Sequence, residues 1–118
     1  MVLLEYNFYL HHILPQRRIR SIQELSILCS PLYPPDHDSV GHDDWIELWK
    51  TVSLFTNLKK LRVEIKPPIV CKLNWEIHEE RLLGELKKVT QPEIFDLYLH
   101  WPSYRQFPEL PCLIRRIW

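Results

Sequence analysis

Glycine is almost missing from this chain, with two in 118 residues. That leaves no material for a G-x-G-x-x-G dinucleotide turn or a phosphate-cradling P-loop. Cysteine is scarce too. Cys29, Cys71 and Cys112 are odd in number and have no C-x-x-C spacing, so they spell neither a disulfide framework nor a zinc ribbon. They suit a reducing, intracellular setting, cytoplasm or nucleus. Net charge is absent, since fifteen Lys plus Arg balance fifteen Asp plus Glu. Without a basic field, nucleic-acid binding lacks its main driving force, so nucleic acid is not an expected partner. No apolar run approaches the roughly 18 residues of a membrane span. The opening MVLLEYNFYLHHIL carries Glu5 and no basic stretch, unlike a signal peptide. No membrane role is expected.

What the chain does have is a repeated pattern. SIQELSILC (21–29), NLKKLRVEI (57–65) and EIFDLYLHW (93–101) align at a spacing of 36 residues. Ile22, Leu58 and Ile94 fall in one column, and Leu25, Leu61 and Leu97 in the next. Ile27, Val63 and Leu99 follow, and Cys29, Ile65 and Trp101 close the series. Each copy alternates with period two, which puts one apolar face and one polar face on a strand. The polar sets are Glu24/Ser26/Leu28, Lys60/Arg62/Glu64 and Asp96/Tyr98/His100. Strands buried on both faces read as continuous apolar runs, so this sheet is expected to be covered on one side only.

The cover is predicted between the copies. DDWIELWKTVSLF (43–55) sets Trp45, Leu48, Trp49, Val52 and Phe55 on one helical face, with Asp44 and Glu47 as a capping box. NWEIHEERLLGELKKV (74–89) reads as a second helix capped by Asn74, with Leu82, Leu83, Leu86 and Val89 as its apolar stripe. Its early Glu76, Glu79 and Glu80 and late Lys87 and Lys88 complement the helix dipole. Gly84, costly in a helix, suggests close packing. Right-handed strand–helix–strand crossovers then build a small two-layer α/β fold. It is leucine-rich-repeat-like, with three to four mainly parallel strands and helices on one face. LEYNFYL (4–10) reads as an edge strand and ILPQRRIRSI (13–22) as a short helix. Residues 1–102 form the domain. Residues 103–118, with Pro108 and Pro111, read as a Pro-rich C-terminal extension.

Little chemistry is spelled out. The loop SPLYPPDHDSVGHDD (30–44) holds Asp36, His37, Asp38, His42 and Asp43, but a turn-rich loop ending in a helix cap accounts for them without a metal. His78-Glu79 opens like a zinc-protease helix, yet Leu82 stands where the second His belongs. Arg17, Arg18, Arg20, Lys59, Lys60 and Arg62 are diluted by Glu24 and Glu64. Trp45, Trp49 and Trp75 read as core anchors, and Cys29 as a small core residue. No catalytic residues, cofactor, metal or small-molecule substrate is expected. His100 beside Tyr98 is the one titratable pair on the polar face that invites a catalytic reading, through a loop acid such as Asp36 or Asp38.

The segments EYNFYL, ILPQRRIRSIQELSI, WIELWKTVSLFTNLKKLRVEI and RLLGELKKVTQPEIFDLYLHWP together resemble a fungal domain of unknown function found C-terminal to F-box-like motifs. The resemblance spans residues 5–102, and its most specific part is the Trp-bearing helix followed by NLKKLRV. It implies an intracellular fungal protein with a recognition role. It brings no catalytic or ligand-binding residues with it. The F-box-like segment is absent here, so the resemblance also implies a shortened relative or a late start of the reading frame.

The functional expectation is therefore a non-catalytic protein-interaction module. Its binding residues would be Ser26, Arg62, Glu64, Tyr98 and His100 on the bare sheet face, since Tyr and Arg are favoured at hot spots and repeat proteins bind through such faces. Across neighbouring strands the expected rows are Glu24–Lys60–Asp96, Ser26–Arg62–Tyr98 and Leu28–Glu64–His100. The alternatives are a face that is merely solvated or covered by the C-terminal segment, a remnant domain without activity of its own, and a small hydrolase using His100.

Overall fold

The alternating apolar columns do become strands. In the computed structural model, which describes residues 2–6, 22–29 and 40–117, five strands form one sheet. They are β1 (Val2–Tyr6), β2 (Glu24–Cys29), β3 (Lys60–Ile65), β4 (Ile94–Leu99) and β5 (Leu113–Arg116). Their order in the sheet is their order in the chain, and every pair is parallel. When successive right-handed crossovers always step the same way, their connections all land on one side of the sheet. The predicted class, an α/β fold with a parallel sheet and helices on one face, is the one observed. Part of the expected edge strand 4–10 is realised in β1, and 7–10 lie outside the described residues. So do the expected helix 13–22, apart from Ile22, and most of the loop 30–44.

Two helices supply the cover. α1 (Val40–Val52) and α2 (Lys72–Gly84) each precede a strand, and a 3-10 turn flanks α2 on either side, at Ile69–Cys71 and Glu85–Lys88. Both helices begin earlier than expected. Asp44 and Asn74 lie inside them rather than at their starts, and the N-cap of α2 is Cys71, with no side-chain bond. The apolar faces are as read. Trp45, Leu48, Trp49, Val52 and Phe55 are buried, as are Leu82, Leu83, Leu86 and Val89. The end of α1 is closed from a distance, because Nε2 of Gln91 donates to the carbonyls of Val52 (2.8 Å) and Phe55 (3.2 Å). Those carbonyls also accept from the backbone N–H groups of Phe55 and Leu58, at 3.1 Å each, so Gln91 adds a second bond to each at the helix end.

Between the layers, Trp45, Trp49, Trp75 and Trp101 are all fully buried. Their rings meet in a chain, Trp45 with Trp49 at 5.3 Å, Trp45 with Trp75 at 5.9 Å, and Trp75 with Trp101 at 5.7 Å. These spacings and tilts are those at which aromatic pairs attract beyond simple burial. The indole N–H of Trp45 donates to the carbonyl of Leu82 at 3.0 Å, which ties α1 to α2.

The register corrects one expectation. β2 and β3 pair at the 36-residue offset, Leu25 with Leu61, Ile27 with Val63 and Cys29 with Ile65. β3 and β4 pair two residues out of that frame, Leu61 with Phe95, Val63 with Leu97 and Ile65 with Leu99. Phe95 therefore opens the buried set of β4, Trp101 packs just beyond the strand, and Ile94 stands 48% exposed. A slip of two leaves every side chain on its own face, so core and surface are unchanged. Gly84 also departs from expectation. A Cβ there would meet nothing within 4 Å, so no close packing requires it.

After β4, the segment 100–112 crosses over without a helix, as its prolines demand. It buries Phe107 and Leu110 against the core and leads into β5, whose backbone pairs with β4 from Asp96–Leu113 to Leu99–Arg116. No helix among the described residues is long and apolar enough to cross a membrane.

Candidate functional site on the open sheet face

The even-numbered residues of β2, β3 and β4 face away from the helices, and their burial alternates with the buried odd-numbered set. The rows across this face follow the true register: Glu24–Lys60–Ile94, Ser26–Arg62–Asp96 and Leu28–Glu64–Tyr98. The expected rows ending in Asp96, Tyr98 and His100 are thus each displaced by one pair along β4. The charge ladder keeps Glu24 and Lys60, 3.8 Å apart, and loses Asp96 to Arg62.

The side chains nonetheless reach back across the slip. The guanidinium of Arg62 lies 4.3 Å from the centre of the Tyr98 ring. Nε2 of His100, just past the end of β4, is 3.2 Å from Oε2 of Glu64. Long side chains reach diagonal neighbours on a sheet surface, so contacts form between residues 36 apart although the backbone partners are not. Arg62 also sits 3.6 Å from Glu64. From the other flank, Arg115 of β5 is 3.8 Å from Asp96 and 6.0 Å from the Tyr98 ring.

Arg62, Glu64, Tyr98 and His100 therefore form one connected cluster, with Ser26 paired in register to Arg62. Asp96 and Arg115 complete it, and neither was among the expected site residues. Arg115 lay in the segment read as an extension, and a strand of four residues gives only a short alternating signal. The middle of the cluster is half-buried, with the side chains of His100 and Glu64 15% and 25% exposed. The solvent-facing ion pairs, Lys60–Glu24, Arg62–Glu64 and Arg115–Asp96, each contribute about 0–1 kcal/mol. Their main consequence is orientation, a fixed aromatic ring flanked by two guanidinium groups.

A His–carboxylate pair is also half of a proton-transfer device. Among the described residues no Ser, Thr or Cys side chain is hydrogen-bonded to His100. The thiol of Cys29 is in the core, where burial raises its pKa well above the ordinary range. Asp36 and Asp38, the acids expected to join His100, lie outside the described residues. A depression of about 530 Å³ is lined by Ser103, Tyr104, Arg105, Phe107, Ile114 and Arg116, among others. Ile114 and Arg116 pair with Leu97 and Leu99, which places this hollow on the helix side of β5, away from His100. Among the described residues no group of three or more His, Cys, Asp or Glu could hold a metal ion. Of the five residues in the metal reading of the loop, Asp43 is exposed in the first turn of α1 and His42 is in the same helix; Asp36, His37 and Asp38 are not described.

The charged centre that sequence reasoning missed is Glu79. Expected as an early-helix acid that complements the helix dipole, it is fully buried. Oε1 accepts from Nε1 of Trp101 at 3.2 Å and from Arg116 at 3.1 Å, and Oε2 faces Arg105 at 3.4 Å. Arg116 also donates to the carbonyls of Trp101 and Arg105, and Arg105 to that of Glu76. One carboxylate thus holds α2, the end of β4, the crossover 100–112 and β5 together. The signal was present, since Glu79 follows Trp75 by four and precedes Leu82 and Leu83 by three and four, the spacing of one helical face.

The described residues define a small α/β domain whose parallel sheet is roofed by two helices on one side and bears a polar, aromatic-centred cluster on the other. The chain belongs to the family described as a domain of unknown function, DUF7730, which matches residues 3–116 and so runs from β1 to the end of β5. No curated protein matches the chain, and no solved structure does.

Proposed function

We propose that this domain is a non-catalytic protein-interaction module that binds its partner through the open face of the sheet. Arg62 and Tyr98 form the centre, with Ser26, Glu64 and His100 around them. One observation carries the reading. Parallel sheets are ordinarily covered on both faces, whereas among the described residues the second face presents a half-buried ring flanked by guanidinium groups 4.3 and 6.0 Å away. Tyr and Arg held in place lose little side-chain freedom on binding, which is where interface hot spots concentrate. The resemblance to F-box-linked fungal domains extends the proposal to an intracellular fungal protein, derived from an F-box-type substrate-recognition protein.

The test is comparative affinity purification from fungal extract with the native chain and with the variant Arg62→Ala/Tyr98→Ala. The variant is expected to lose the captured protein while its melting temperature stays close to that of the native chain. Undiminished capture would reject this face as the binding site. For the F-box link, a transcript carrying a Leu-Pro-rich F-box-like segment in frame is the expected finding, and full-length transcripts in family members without one count against it.

A further inference from the structure

α2 is apolar on two sides. Trp75, Leu82 and Leu83 face the core, as an amphipathic helix requires. On the outward side Ile69 and Val70, from the 3-10 turn that leads into the helix, are 84% and 86% exposed, and Leu73 and Ile77 are 65% and 55% exposed. Ile69, Leu73 and Ile77 recur every four residues and so make a single ridge. Together the four side chains offer on the order of 500 Å² of apolar surface, a size at which exposed patches mark interaction sites. On one flank Lys72, Glu76 and Glu80 recur every four residues, basic at the N-terminal end and acidic beyond it, while Arg81 follows Ile77 by four and ends the ridge.

We propose that this ridge is the interface of a homodimer in which two copies of α2 pack antiparallel about a two-fold axis. The second copy is the occupant because the surface is complementary to itself when reversed. Leu73 of each chain then lies against Ile77 of the other, and Lys72 of each comes beside Glu76 and Glu80 of the other. An interface made of the same patch on both subunits requires this kind of self-match. Parallel packing would put this stripe on opposite flanks of the two helices, where those pairs do not form. Two ridges bury roughly 1,000 Å² in total, at the lower bound for a specific interface, so the dimer is reversible and concentration-dependent. The ridge is on the helix layer and the Arg62–Tyr98 cluster on the opposite side of the sheet. Dimerisation therefore leaves two open faces free to engage a partner at once, and it stands independently of what those faces bind.

Sedimentation velocity of the full chain from micromolar to millimolar concentration is the test. The expected result is a shift from one chain mass to two as concentration rises. Leu73→Glu places a charge in the middle of the ridge and is expected to raise the dissociation constant about 100-fold. Its far-ultraviolet circular dichroism should be unaltered, because Leu73 makes no contribution to the core. Lys72→Glu is expected to weaken the dimer, and the triple variant Lys72→Glu/Glu76→Lys/Glu80→Lys to recover it by restoring opposite charges. A chain that stays monomeric at millimolar concentration would overturn the proposal, as would a dimer indifferent to Leu73→Glu or a triple variant that fails to recover.

Discussion

The indole of Trp101 donates its N–H to the fully buried carboxylate of Glu79 across 3.2 Å, and the guanidinium of Arg116 reaches the same oxygen at 3.1 Å. A carboxylate out of water is tolerated only when it is paired and hydrogen-bonded, and here both conditions hold. Arg116 belongs to β5 and Trp101 to the turn after β4. The contact therefore ties the last strand to α2, in addition to its backbone pairing with β4.

Removing that carboxylate should be expensive. Glu79→Ala leaves a half-buried guanidinium without its counter-charge and an indole N–H without an acceptor, and is expected to destabilise the domain by about 3–5 kcal/mol. Glu79→Gln keeps an acceptor for Trp101 and should cost less. Urea denaturation of the two variants beside the native chain measures the difference. A loss below about 1 kcal/mol for Glu79→Ala would mean that β5 is not held by this cluster.

Gly84 ends α2 in ordinary helical geometry, with φ −57° and ψ −28°, and a Cβ there meets no atom. Gly84→Ala should therefore stabilise the domain by about 0.5–1 kcal/mol, through lower entropy of the unfolded chain and better helix propensity. Thermal melting reads this as a rise of a few degrees. A fall would show that the residue serves a contact this geometry does not contain.

The Arg62–Tyr98 contact lies on a surface open to solvent, so its coupling should be small. A double-mutant cycle with Arg62→Ala and Tyr98→Ala is expected to give a coupling of about 0.5–1 kcal/mol. Coupling above about 2 kcal/mol would contradict an exposed contact, and would spoil the double variant as a probe of binding alone.

The three thiols are free and differ in burial. Burial raises the pKa of Cys29 far above its ordinary range and that of Cys112 to about 11, in the latter against a lowering backbone hydrogen bond. A thiol whose folded pKa is raised favours the folded state in full below the unfolded value, about 8.5. That advantage is lost as pH rises from there through the folded pKa, since unfolding then releases a proton. Stability should accordingly fall between pH 8 and 10, and fall less steeply in Cys29→Ala. Equal pH slopes for the two proteins would refute the assignment to Cys29. Disulfide-exchange labelling of the native chain should reach Cys112 and spare Cys29 and Cys71, which are buried.

Much of the architecture was legible in particular residues. The alternation in Glu24–Cys29 and Lys60–Ile65 is realised residue by residue, and so is the apolar face from Trp45 to Phe55. The pairing of β3 with β4 was not legible, because a two-residue slip preserves the period-two pattern. Counting repeats therefore cannot distinguish Leu61–Leu97 from the observed Leu61–Phe95. The helix starts were misread for a related reason. Asp44 and Asn74 have the chemistry of caps, but α1 starts four residues before Asp44 and α2 two before Asn74, so neither stands at a helix end. Of the candidate cluster, the identity of Arg62, Glu64, Tyr98 and His100 came from strand alternation alone, while Asp96 and Arg115 needed the true register and β5.

By itself, then, the order of residues determined which side chains are apolar at which period, and hence a parallel α/β layer pair with one polar sheet face. Those are local quantities, decided within a turn of helix or a pair of strand residues. Only the tertiary structure decided that Glu79 lies in the core, that residues 113–116 complete the sheet, and that Asp96 and Arg115 join Arg62 and Tyr98. Each of these depends on which distant segments arrive together, and a charge can be buried only where a Trp N–H and an Arg from elsewhere in the chain are already in place to receive it.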